Sequence, residues 1–114
     1  MEVIEMLKRT LSKYTVLFTE TNENWKPDAL ANFNFIAMVE TKCNERLEAE
    51  GRLYLNDVYV MLGFPKTEAG DCVGWIYGKK YGDGYVAIDI IDFRNFKIDF
   101  VLDFNVDGHI KDII

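Results

Sequence analysis

Apolar and polar positions alternate from Tyr85 to Ile114 (YVAIDIIDFRNFKIDFVLDFNVDGHIKDII), the period expected of strands with one buried face. Two tight turns interrupt the run, so it predicts an antiparallel meander with an apolar face and an acidic face. Upstream the period changes. Val3, Ile4, Leu7 and Leu11 predict an amphipathic helix over Glu2–Lys13. Tyr14–Thr19 (YTVLFT) is β-branched and aromatic, hence a strand, and the polar run Glu20–Asn24 is a loop. Trp25-Lys26-Pro27-Asp28 reads as a helix entrance, because proline suits the first helical position and aspartate complements the dipole. That helix runs to Glu50, with Gly51 as its stop. Its first half carries Phe33, Phe35, Ile36, Met38 and Val39 around the whole cylinder, which predicts burial on more than one face. Its second half is polar except for Cys43, Leu47 and Ala49 and belongs on the surface.

Arg52–Leu55 reads as extended, and Asn56 as the cap of a short helix, Asp57–Leu62, ended by Gly63. Phe64-Pro65 forces an extended exit, Lys66–Asp71 turns, and Cys72–Tyr77 opens the meander. Within that strand Gly74 marks a bulge or the close approach of another backbone. Gly78–Gly84 connects to the next strand. A three-residue connection at Phe93-Arg94-Asn95 sets Val86, Ile88 and Ile90 on one face with Phe96, Ile98, Phe100, Leu102 and Phe104. A two-residue turn would bury Asp89 instead. Asn105-Val106-Asp107-Gly108 reads as a type I turn followed by a left-handed glycine. It pairs Phe104 with Ile110 and Asp103 with Lys111. The sum is one α+β domain over residues 1–114: helices packed on one face of a four- to five-stranded, mostly antiparallel sheet with a C-terminal β-meander.

Composition agrees with one ordinary core. Of 114 residues, 49% are hydrophobic and 14% aromatic, so disorder is excluded. Nineteen acidic residues against 13 basic ones give a net charge of −6, which argues against a nucleic-acid surface and allows a basic protein partner. Cys43 and Cys72 have no metal-ligand spacing and read as buried free thiols in a reducing cytoplasm. Neither a signal peptide nor a membrane span is evident, the longest apolar run being Phe35–Val39.

In the predicted register Asp89 faces Asp99, and Asp103 lies opposite Tyr85. Opposed like charges cost roughly 0.2–1 kcal/mol, so the stripe invites explanation. A hard-cation site, an acidic patch for a basic partner, and a solvated face relieved by Lys97 and Lys111 are the three readings. Asp103-Phe-Asn-Val-Asp107-Gly lacks the glutamate that a calcium loop requires, so no metal is expected. His109, the single histidine, lies beside a tight turn and reads as surface; Ser12, the single serine, falls in the first helix without a dyad partner. Gly82 and Gly84 belong to a hairpin connection rather than to a nucleotide-binding strand–helix junction. No nucleophile elbow, phosphate loop, CxxC or HExxH motif occurs, and neither an enzyme nor a cofactor is expected. Trp25, Trp75, Tyr77, Tyr81 and Tyr85 exceed what so small a core takes up. Aromatic side chains beside carboxylates suit protein recognition; the alternative is that Trp75 is core and the tyrosines line its rim.

LNDVYVMLGFPKTEAGDCVGWIY (Leu55–Tyr77) and LDFNVDGHI (Leu102–Ile110) resemble segments of a group of small uncharacterised proteins encoded by phages and prophages of Gram-positive bacteria. The resemblance covers about the last 60 residues and brings no catalytic residues with it. It implies an accessory protein of the host cytoplasm that binds and inhibits a host defence protein, of the anti-CRISPR or anti-restriction kind. The expected partner is a nuclease with a basic surface, met by Asp89, Asp99 and Asp103 with Tyr77, Tyr81 and Tyr85 at their border. The alternative is a phage or prophage assembly protein that forms a homodimer through Pro27–Val39.

Overall fold

The computed structural model describes residues 12–91 and 99–113. Among them lie two α-helices, six strands and a single 3-10 turn at Ala69–Asp71. The predicted helix Glu2–Lys13 falls almost wholly outside the described residues; Ser12 itself is non-helical.

Helix α1 spans Ala29–Glu50. The Asp28 carboxylate accepts from the Leu30 and Ala31 N–H groups at 3.0 and 3.2 Å, so Asp28 is the N-cap and Pro27 lies outside. At the other end Gly51, at φ +86°, donates to the Leu47 carbonyl, as a left-handed stop should. Asn32, Ile36, Val39, Cys43 and Leu47 form its buried stripe. Burial is therefore one-sided. Phe33 and Met38, expected inside, are exposed.

Helix α2 spans Leu55–Leu62. It starts before Asn56, because the Asp57 carboxylate accepts the Tyr54 N–H at 3.0 Å and does the capping. Asn56 is buried and stitches the following turn, donating to the Thr67 carbonyl and the Asp71 carboxylate and accepting from the Thr67 N–H.

The strands are β1 (Val16–Phe18), β2 (Arg52–Tyr54), β3 (Val73–Ile76), β4 (Ile88–Ile91), β5 (Phe100–Phe104) and β6 (Gly108–His109). They form two antiparallel sheets, β1-β5-β4 and β2-β3-β6. The α+β class and antiparallel pairing stand, but the strands divide between two sheets instead of forming one meander. Two features cause the division. Gly74 lets the Leu53 carbonyl approach where any Cβ would collide, so β3 takes the short β2 as its neighbour. And β5 and β6 are not hairpin partners: His109 pairs with Val73, and the Ile110 and Lys111 N–H groups donate to the Cys72 carbonyl. The pairings Phe104–Ile110 and Asp103–Lys111 do not form.

β4 and β5 do pair, four residues away from the predicted register: Ile88↔Phe104, Asp89↔Asp103, Ile90↔Leu102. An even shift preserves the side-chain phase. Ile88, Leu102 and Phe104 therefore face the core as expected, although their partners differ. The connection Phe93-Arg94-Asn95 lies outside the described residues.

Phe18, Phe100, Leu102 and Phe104 from one sheet, Leu53 and Trp75 from the other, and Ile36, Val39, Cys43, Leu55, Val58, Tyr59 and Leu62 from the helices make one core. Phe18 stacks on Phe35 with centroids 5.8 Å apart, and Tyr59 meets Phe104 edge-on at 5.7 Å, geometries worth about 0.5–1.5 kcal/mol each beyond burial.

Candidate functional site

The loop that joins β3 to β4, Tyr77-Gly78-Lys79-Lys80-Tyr81-Gly82-Asp83-Gly84-Tyr85, carries the exposed aromatic surface. Tyr77, Tyr81 and Tyr85 are 52, 46 and 50% exposed. Trp75, by contrast, is fully buried, its indole N–H donating to the Asn105 carbonyl and side-chain oxygen. Trp25 is half-buried and packs against the core.

The loop is pinched at its base. Gly78 and Gly84 have φ of +93° and +75°, and a Cβ on Gly84 would strike the Gly78 carbonyl; only glycine allows two backbones that close. Two side chains from the β5–β6 crossover then fix its path. The Asp107 carboxylate accepts from the Asp83 N–H at 2.9 Å and the Ile76 N–H at 3.2 Å. Asn105 accepts from the Ala87 N–H at 2.7 Å and donates to the Tyr85 carbonyl and the Asp83 carboxylate. Asn105 and Asp107 thus serve as internal clamps on the loop. Among the described residues no group of three His, Cys, Asp or Glu side chains converges to hold a metal ion.

Helix α1 holds the other side of the loop. Asn44 accepts the Val86 N–H and donates to the Val86 carbonyl, as a neighbouring strand would. One turn further on, Glu48 accepts the Tyr77 hydroxyl at 3.3 Å. Tyr77 therefore borders Glu48, and Glu45 lies exposed one turn before it on α1. At the tip, Lys79 and Lys80 are exposed, and the Lys80 ammonium sits 5.5 Å from the Tyr81 ring centroid.

The predicted acidic stripe is not assembled. Asp89 is exposed and faces Asp103 rather than Asp99, and Asp99 is half-buried. Asp103 does not lie opposite Tyr85. It is only 7% exposed, with oxygens accepting from the Ser12 N–H and hydroxyl, the Thr15 hydroxyl and the Phe104 N–H. Ser12, which seemed to lack a partner, is its main donor. The sequence reading missed Asn44, Glu48, Asn105 and Asp107. A signal existed for the last two: DFNVDG offers more polar side chains than one turn consumes.

Cys43 is buried and Cys72 half-buried. Burial pushes the Cys43 thiol up to about 12, so it is inert as a nucleophile at neutral pH. His109 is exposed on the edge strand β6. No helix among the described residues is long and apolar enough to cross a membrane.

No curated protein and no solved structure matches the sequence. A whole-chain relationship is nonetheless established, and it takes in the clamps and the loop alike: the family of unknown function DUF6353 matches over residues 1–114, and the chain belongs to it.

Proposed function

We propose that the protein is a non-catalytic binding protein, and that the loop Tyr77–Tyr85 with Glu45 and Glu48 of α1 is its recognition surface. One observation carries the reading: three half-exposed tyrosines stand on a loop whose backbone is held by Asp107 and Asn105, with Asn44 of α1 gripping Val86 beside it. A rigid tyrosine offers large amphipathic contact area and loses little conformational entropy on binding. Tyrosine faces and carboxylates are also the two groups that arginine binds best. With a net charge of −6, the partner class that fits is a protein with an arginine-rich surface. Basic nucleic-acid channels of host defence nucleases have that character, and the phage-type resemblance of Leu55–Tyr77 and Leu102–Ile110 supports the same direction. The proposed action is stoichiometric inhibition of such an enzyme in the host cytoplasm.

Capture from host lysate with quantitative mass spectrometry tests this, comparing the parent with the Tyr77→Ala/Tyr81→Ala/Tyr85→Ala variant and with Asp89→Lys/Asp99→Lys. A basic protein held by the parent should be lost about tenfold or more from the tyrosine variant, as when central aromatic contacts are truncated. It should be retained by the aspartate variant. Equal capture by the parent and the tyrosine variant would refute the loop as the contact; loss in the aspartate variant alone would return the contact to the sheet face.

A further inference from the structure

The tip of the tyrosine loop carries cations of its own. Lys79 and Lys80 are both exposed, but among the described residues Lys80 alone of the two stands over a ring. Its ammonium lies 5.5 Å from the Tyr81 centroid, within the range of a cation–π contact. We infer that Lys80 is an internal occupant of the Tyr81 face, an autoinhibitory contact that a partner's guanidinium must displace. The inference rests on the loop being the contact surface, and it adds a regulator to that surface.

The chain on both sides of the Lys80–Tyr81 pair is fixed. Gly78 takes φ +93°, a Cβ on Gly82 would strike the Asp107 carboxylate, and the Asp83 N–H donates to that same carboxylate at 2.9 Å. The carboxylates around the tip are committed elsewhere. Asp107 accepts from backbone N–H groups, Asp83 from the Asn105 amide at 3.1 Å, and Glu48 from the Tyr77 hydroxyl at 3.3 Å. Accordingly Lys80 makes no ion pair among the described residues, and the ring face is what its ammonium meets. Tyr81 is also exposed, so one cation can replace another on the ring without backbone movement. An ammonium leaves the ring readily because water solvates it strongly, whereas a guanidinium is weakly hydrated and stacks on the ring plane. Until it is displaced, Lys80 lowers the apparent affinity in proportion to the time the face is covered. A contact of this kind at an exposed site leaves the face free for about a sixth to a third of the time.

The test is a titration of the isotope-labelled full chain with a hexa-arginine peptide at low ionic strength, where exposed charges are least screened. Dissociation constants are read from the amide shifts of the loop. Lys80→Ala should bind the peptide about three- to sixfold more tightly than Lys79→Ala, which removes the same charge from the same tip without uncovering a ring. In a Tyr81→Leu background that advantage should vanish, as a double-mutant cycle requires of two side chains that act on each other. Equal affinities of the Lys79→Ala and Lys80→Ala variants overturn the inference alone, since the loop still takes the peptide. So does an advantage of Lys80→Ala that survives Tyr81→Leu. Loop amides unmoved by the peptide in every variant overturn it together with the reading of the loop as the contact.

Discussion

Asp103 shows how little a residue's type says about its employment. It sits in an alternating acidic run, yet its carboxylate is taken up by Ser12 and Thr15, about 90 residues away in sequence. Removing the side chain leaves half-buried donors without their acceptor, a cost of about 1–3 kcal/mol. Asp103→Ala should therefore lower the urea unfolding free energy by about 2–3 kcal/mol, while Asp89→Ala, on the exposed partner position, should stay within about 0.5 kcal/mol. What was legible at this scale was local. Asp28, Gly51 and Gly63 announce helix ends through bonds that reach only a few residues, and each ends or begins a helix here. The fate of Asp103 depended on a donor that no local pattern could supply.

At the scale of elements, phase was readable and partnership was not. The alternation in Ile88–Ile91 and Phe100–Phe104 assigned the correct residues to the core, because a four-residue slip leaves parity untouched. It could not choose between β3 and β5 as neighbours for the chain on either side of Asn105. The turn chemistry of NVDG looked sufficient for a hairpin, but the Asn105 and Asp107 side chains are engaged with the 83–87 segment and β3. Asn105 is thus the knot between the two sheets and the tyrosine loop. Asn105→Ala keeps the backbone carbonyl that serves Trp75 but frees the loop. Stability should fall by about 2 kcal/mol, and hydrogen exchange at Ala87 should accelerate while the centre of β5 stays protected.

For the molecule as a whole, both sheets and both helices share one core, so a titration inside it is felt as global unfolding. Burial, with smaller contributions from Tyr14 and Asp103, pushes the Tyr59 phenol up to about 12; its hydroxyl donates to the Tyr14 carbonyl at 2.8 Å. Cys43 is raised to about 12 by its own burial. In both cases the native state holds its proton where the unfolded chain has released it. The stabilisation is complete below the unfolded pKa values, near 9 for the thiol and 10 for the phenol, and is lost as pH rises toward 12. Melting temperature should accordingly fall steeply between pH 9 and 12. Tyr59→Phe should be less stable than the parent at pH 7 by about 1 kcal/mol and should close part of that gap at the alkaline end.

The hold of α1 on β4 has a further consequence. β4 is the margin of its sheet, and a bare margin is a template on which another chain can add a strand, the route to fibrils. Here Asn44 and Glu40 occupy the bonding groups of Val86 and Ile88, so the helix acts as a counterfeit strand. A strand approaching this margin meets side chains in place of an unpaired ladder. Growth from strand to strand need not stop once it has begun, and this helix obstructs its first step.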